Sequence, residues 1–247
     1  MEMPKMPSRQ DTPDSRQPAV DALAAYVRYQ GGVVGEAALD DIVHYFRETL
    51  CDDTLTIDDI VDDYLPIAQA VVGSQHVVDR WQDDLRVICS AIDGLSVFAA
   101  VSPEDRAALG DVLTTLSERL VVEIGGSTRI ENGRINIARD VIEQGPTTTR
   151  FAILHELGHA IDHEAMVPPA IKQAIRRSDH ADMRAAELFA DAFAAVALCV
   201  LGLSRETILD GAMQALAGHE SDGDHPDWET RSDSIQRAIA GVVRGTR

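Results

Sequence analysis

Lysine is almost missing from this chain: it occurs only as Lys5 and Lys172, and arginine carries the remaining basic charge. Against 22 Lys and Arg stand 41 Asp and Glu, for a net charge of -19. A surface of that sign repels a phosphate backbone and an anionic lipid headgroup, so no nucleic-acid partner is expected. Aromatic residues make up only 4% of the chain, which leaves the core to Ala, Val, Leu and Ile. Three cysteines, Cys51, Cys89 and Cys199, are odd in number and far apart. They form neither a CxxC pair nor a disulfide framework and read as reduced core residues. Long hydrophobic runs are missing too. The longest, Ala192 to Leu203, is too short to cross a bilayer, so no membrane span is expected. Residues Met1 to Gln10 hold no apolar segment of the secretory type. The expected location is cytoplasmic.

What is present is mainly helical pattern. Residues 1–18 are polar and punctuated by Pro4, Pro7, Pro13 and Pro18, and read as a tail. Residues 19–118 read as a helical region that recognises substrate or caps a cleft. Its helices are expected at Asp21–Gln30, Glu36–Leu50, Ile57–Val72 (with a kink at Pro66) and Gln75–Ile92, and a further one starts at Ser102-Pro-Glu-Asp105. The acidic blocks Asp52-Asp53, Asp58-Asp59, Asp62-Asp63 and Asp83-Asp84 lack EF-hand spacing and read as solvated faces and turns.

Near residue 119 the period changes. Leu120–Ile124, Arg129–Glu131 and Arg134–Ile137 alternate apolar and polar residues around Gly125-Gly126 and Asn132-Gly133. Asn-Gly between alternating segments predicts a hairpin, and a small antiparallel sheet is expected here. A helix follows Gly145-Pro146, with Thr147 or Thr148 as its cap. Further helices are expected at Ala170–Arg177, Met183–Leu201, Arg205–Ala217 and about Glu229–Val243. The fold class is therefore α+β and mainly α-helical, with residues 119–247 as the second domain.

The helix after Pro146 carries His155-Glu156-x-x-His159 inside an apolar run, Phe151 to Ile161. Positions four apart share one face of a helix, so both imidazoles point the same way, one turn apart. That suits two nitrogen ligands of a single Zn2+ per chain, with Glu156 beside a metal-bound water. Burying these groups in an apolar helix is costly unless they are paired or bound to metal. A third protein ligand is needed, and Glu187 on the next substantial helix is the best placed. Asp191, four residues on, shares its face and can accept a hydrogen bond from the outer ring nitrogen of a zinc-bound histidine. His163 lies too far along the same helix to complete a tetrahedron and reads as a residue of the helix C-terminus. Asp162 is a lesser candidate to support a histidine.

His155-Glu-Leu-Gly-His159 followed by Glu187-x-x-x-Asp191 resembles the gluzincin type of zinc metallopeptidase. Asp224-His-Pro-Asp-Trp-Glu-Thr-Arg231 resembles the His-Pro…Arg element of HtpX and CAAX-prenyl-protease relatives, of which only the soluble core would be shared. Glu-x-Phe-Ala-Asp-x-Phe-Ala is similar to the catalytic domain of anthrax-lethal-factor-type toxins, and ImmA-like peptidases are another similar group. The likeness covers about residues 120–235. It implies a zincin-like catalytic domain, a protein or peptide substrate and a zinc-activated water with Glu156 as general base. It further implies His225 as a donor to the oxyanion, with Arg231 steadying that loop or assisting. Arg134, Ile135, Asn136 and Ile137 are expected as the edge strand that receives an extended peptide. The alternatives are a zinc-binding pseudopeptidase that acts as a regulatory binding module, and a helical interaction protein whose HExxH is coincidental. Substrate identity and oligomeric state are not encoded in any of these motifs.

Overall fold

In the computed structural model, residues 13–29, 36–50, 52, 54–163, 167–176, 183–217 and 225–243 are described. They form eleven α-helices, one π turn, two short 3-10 turns and three strands, and the chain divides into two units, Met1–Gly73 and Ser74–Arg247.

The first unit holds α1 (Pro13–Tyr29), α2 (Glu36–Leu50), α3 (Ile57–Asp59) and the start of α4 (Leu65–Ala91). α1 begins inside the stretch expected to be a tail. Ala19, Val20, Leu23, Ala24 and Val27 are buried along it, and that packing outweighs the cost of Pro18 within the helix. Residues 1–12 lie outside the described residues. α2 has the expected bounds and buries Ile42, Val43 and Phe46. The Phe46 ring meets Tyr64 edge-on at 5.0 Å, and the Arg16 guanidinium lies 5.9 Å from the centre of that same ring. Thr56 and Asp59 make a reciprocal capping box that starts α3.

The two helices expected on either side of Gly73 are one. Between α3 and α4 the chain widens into a single π turn, Ile60–Tyr64, where Leu65 N–H donates to Ile60 C=O. Pro66 follows at once. Its ring has no N–H and would crowd the carbonyl of Asp62 in a regular α-helix, and a π turn is one way to absorb the misfit without ending the helix.

In the second unit, the rest of α4 joins α5 (Pro103–Arg119), capped by Ser102, whose hydroxyl accepts from Asp105 N–H at 3.1 Å. The boundary between the two compact units lies inside α4, after Gly73. Ser74 Oγ donates to Ile142 C=O at 2.8 Å, Gln82 Nε2 donates to Ser117 C=O at 2.9 Å, and Asp84 pairs with Arg150 at 2.6 Å. The first and third of these bonds tie α4 to the helices that follow the sheet, and the second ties it to α5.

The sheet comprises β1 (Val121–Gly125), β2 (Arg129–Glu131) and β3 (Arg134–Ala138) in the order β1-β3-β2. Asn132 (φ 52°) and Gly133 (φ 77°) both take the left-handed backbone of a type I′ turn and join β2 to β3 as an antiparallel hairpin. β1 pairs parallel to β3, so the sheet is mixed rather than antiparallel. The expected edge strand is corrected as well: Arg134, Ile135, Asn136 and Ile137 lie in the central strand, with Ile135 and Ile137 fully buried. Arg134, Ile135 and Asn136 pair with a strand on both sides, and Ile137 pairs with β1, so these residues offer no free edge strand to an incoming peptide. The outer strands are β1 and β2.

A short α6 (Arg139–Glu143), which periodicity does not predict, leads into α7 (Pro146–His163). Pro146 is itself the first helical residue, which suits its missing N–H, and Gly145 precedes it with φ 116°. The expected caps Thr147 and Thr148 thus lie inside the helix, and Thr148 donates to Gln214 Oε1 at 2.8 Å. α8 (Pro169–Arg176), α9 (Met183–Val200), α10 (Arg205–Ala215) and α11 (Trp228–Val243) complete the unit. α9 is buried almost all round from Leu188 to Leu198 and forms its centre, packed by α7 and α11. Among the described residues, no helix is long and apolar enough to cross a membrane.

Gly133→Val forces a β-branched residue into left-handed backbone and should lower the unfolding free energy by about 1–3 kcal/mol. Urea denaturation checks this, and Gly126→Val, at a glycine with open space around it, serves as a control expected to cost less.

Candidate metal centre

α7 and α9 touch where a glycine allows it. A Cβ on Gly158 would lie 2.7 Å from Ala190 Cα and 3.1 Å from Ala190 Cβ. Nothing larger than hydrogen fits there, so the backbone of the His155–His159 turn rests directly on α9. The contact brings Glu187, three residues before Ala190, and Asp191, the residue after it, against the histidines. Gly158 has no part in the hydrophobic periodicity of α7. Its signal is a glycine inside an apolar helix, a position that costs helix stability unless close packing requires it.

Three predicted ligands converge. His155 Nε2 and His159 Nε2 stand 3.1 Å apart, and Glu187 Oε2 and Oε1 lie 3.5 Å and 3.3 Å from them respectively. Among the described residues, His155, His159 and Glu187 are the group of His, Cys, Asp and Glu side chains that could hold a metal ion. Bonds of about 2.0–2.1 Å to a tetrahedral ion separate donor atoms by about 3.3–3.4 Å, so the observed spacings fit a small cation such as zinc. The donor chemistry, two imidazoles and a carboxylate, fits it as well.

Behind the ligands, charge is compensated step by step. His155 Nδ1 lies 3.0 Å from Asp191 Oδ1, within ion-pair reach, yet that buried nitrogen lacks an aligned hydrogen bond. Asp191 is fully buried, and Arg231, 2% exposed, grips it through Nε at 2.7 Å and Nη2 at 2.8 Å. The same Nη2 also donates to Glu187 Oε2 at 3.1 Å. Burial is the largest single influence on Asp191 and works against its ionisation, but Arg231 and His155 together outweigh it and hold the carboxyl below its ordinary range. Glu187 is lowered likewise: burial opposes its charge, and the bonds from His155 and His159 prevail. For His155 burial favours the neutral ring, but Asp191 and Glu187 together raise it to about 9. The carboxylates thus draw positive charge to the point where the ring nitrogens meet.

The open side is a cleft of about 120 Å³ lined by the three ligands and by Glu156, Phe151, Thr128, Leu216 and His225. Glu156 is 8% exposed and has no hydrogen-bond or ion-pair partner among the described residues. His225 is half-buried, its Nε2 3.8 Å from Glu187 Oε1. Phe151, one turn before His155, stacks on that imidazole at 6.2 Å, a support the motif does not announce. Asp162 faces Lys172 at 3.4 Å and lies outside the cluster, and His163 is exposed. Asp224 lies outside the described residues. Compared with protein-family models, with curated proteins and with solved structures, the chain has no match in any of the three.

Two outcomes follow for the protein without added metal. Arg231→Gln leaves buried Asp191 with only the His155 ring beside it and should cost about 3–5 kcal/mol, whereas adding Asp191→Asn should recover at least about 1 kcal/mol of that loss, as read by a denaturation double-mutant cycle. The raised His155 contributes stability fully present below about pH 6.5 and lost as pH rises through about 9. Melting temperature in chelator should therefore fall by several degrees between pH 6.5 and 9.5, and the fall should shrink in Asp191→Asn.

Proposed function

We propose that the chain is a zinc-dependent endopeptidase. The observation that carries the reading is the coincidence, in one cleft, of a His155–His159–Glu187 donor set at zinc-like spacing with the unpartnered carboxylate of Glu156 beside it. A carboxylate kept from every neighbouring cation and open to the cleft is suited to handling protons. Zinc, when bound, supplies a Lewis acid and brings the pKa of a coordinated water toward neutrality.

The chain's own residues do the rest. Glu156 accepts a proton from the attacking water as its oxygen bonds to the carbonyl carbon of the peptide. Glu156 then delivers that proton to the amide nitrogen as the C–N bond breaks, which balances the hydrolysis. His225, at the cleft wall, donates to the developing oxyanion. Arg231 and Asp191 hold Glu187 and His155 in place and touch no substrate. The extended peptide runs along the outer edge of β2, Arg129–Glu131, which Thr128 joins to the cleft.

A peptide library incubated with the zinc-loaded protein should be cleaved, and chelation should stop the cleavage. Glu156→Gln should lower kcat by about 10²–10⁴ without changing the melting temperature, and His225→Ala should lower it by about 10² with KM little altered. No cleavage by the wild-type protein, or equal cleavage by Glu156→Gln, contradicts the reading.

A further inference from the structure

The chain has four tyrosines, and three of them lie together on the first unit. Tyr26 and Tyr45 line a groove of about 450 Å³ along the seam of α1 and α2, with Ala22, Ala25, Ile42 and Phe46. Tyr29, one turn beyond Ala25 and Tyr26 on α1, continues the same face by helical spacing. Tyr29 is 85% exposed and Tyr45 45% exposed, in a protein whose other large apolar side chains are mostly buried. Tyrosine combines a large apolar face with a polar tip and is enriched where protein surfaces meet. The fourth, Tyr64, is spent on the core beneath Phe46.

Charge decides what fits. Residues 1–73 hold 14 Asp and Glu against 5 Lys and Arg, a net charge of -9. Asp41 lies in the groove itself, and Asp21 and Asp40 are exposed on the two helices. Of the bases, Arg16 lies over the Tyr64 ring and Arg47 donates to Leu55 C=O at 2.7 Å. Arg28 is exposed, in the last turn of α1. An apolar trough between two helices, in an acidic field, matches an amphipathic helix with apolar anchors three and four residues apart and Lys or Arg on its flanks.

We propose that the α1–α2 groove is a docking site for a basic amphipathic helix of a partner protein. The helix lies along the seam, its apolar anchors between Tyr26 and Tyr45, its basic flank against Asp41. The site belongs to the first unit and does not depend on the peptidase reading.

The test uses the full chain and a fluorescent peptide of about 18 residues, with leucine at helical spacing on one face and lysine on the other. It should bind with micromolar affinity, and a scrambled peptide of the same composition about tenfold more weakly or worse. Ala25→Arg, at an exposed position on the groove wall, and Asp41→Lys should each weaken binding about tenfold while the melting temperature is unchanged. Four results each overturn the proposal: equal binding of the scrambled peptide, equal binding by Ala25→Arg, equal binding of a peptide with glutamate for lysine, and self-association of the wild type that Ala25→Arg abolishes. The last would mean that the groove takes a second copy of the chain.

Discussion

The candidate site depends on one contact, the backbone of α7 at Gly158 against α9 at Ala190. Helices normally pack with side chains between them, which keeps their axes about 8–10 Å apart. Here the absence of a Cβ lets the turn between His155 and His159 settle onto the neighbouring helix. Only at that distance do carboxylates as short as Glu187 and Asp191 reach the imidazoles. The buried apolar faces of both helices supply the driving force, and the polar groups ride on it.

That arrangement sets an electrostatic problem that the surrounding residues answer. A buried carboxylate, a partly buried one and two imidazoles among apolar side chains would be costly if left alone. Arg231, itself almost fully buried, binds both oxygens of Asp191 and reaches Glu187. The excess negative charge that remains is directed at the meeting point of the two histidine nitrogens. A site of this kind stabilises whatever cation or proton occupies that point, and it holds its donors before occupation. Glu156, a neighbour in sequence, lies outside the network and lines the same cleft.

Much of this was legible in the residues. His155 and His159 follow from helical spacing, and Glu187 with Asp191 from two acids one turn apart in an apolar run. Arg231 was visible only as part of a motif, and its grip on Asp191 required the fold. What could not be read is which elements become neighbours. Alternation identified all three strands within a residue or so, but gave no order, so β3 was taken for an edge when it is the centre. Periodicity placed helices well, yet did not say that α4 runs through residue 73 in one piece or that α5 packs with α7 and α8. Gly158 carries no side chain to read, although the site turns on it. The packing of α1 around Leu23 and Val27 likewise overrode the local message of Pro13 and Pro18.

The central claim is that His155, His159 and Glu187 form one metal site. Elemental analysis of the full chain, purified after incubation with zinc and exhaustive dialysis, tests it most directly when set beside Glu187→Ala prepared identically. One zinc per chain in the wild type, sharply reduced in the variant while the helical circular-dichroism signal is kept, is the predicted result. No bound zinc in the wild type, or full retention by Glu187→Ala, would contradict the account.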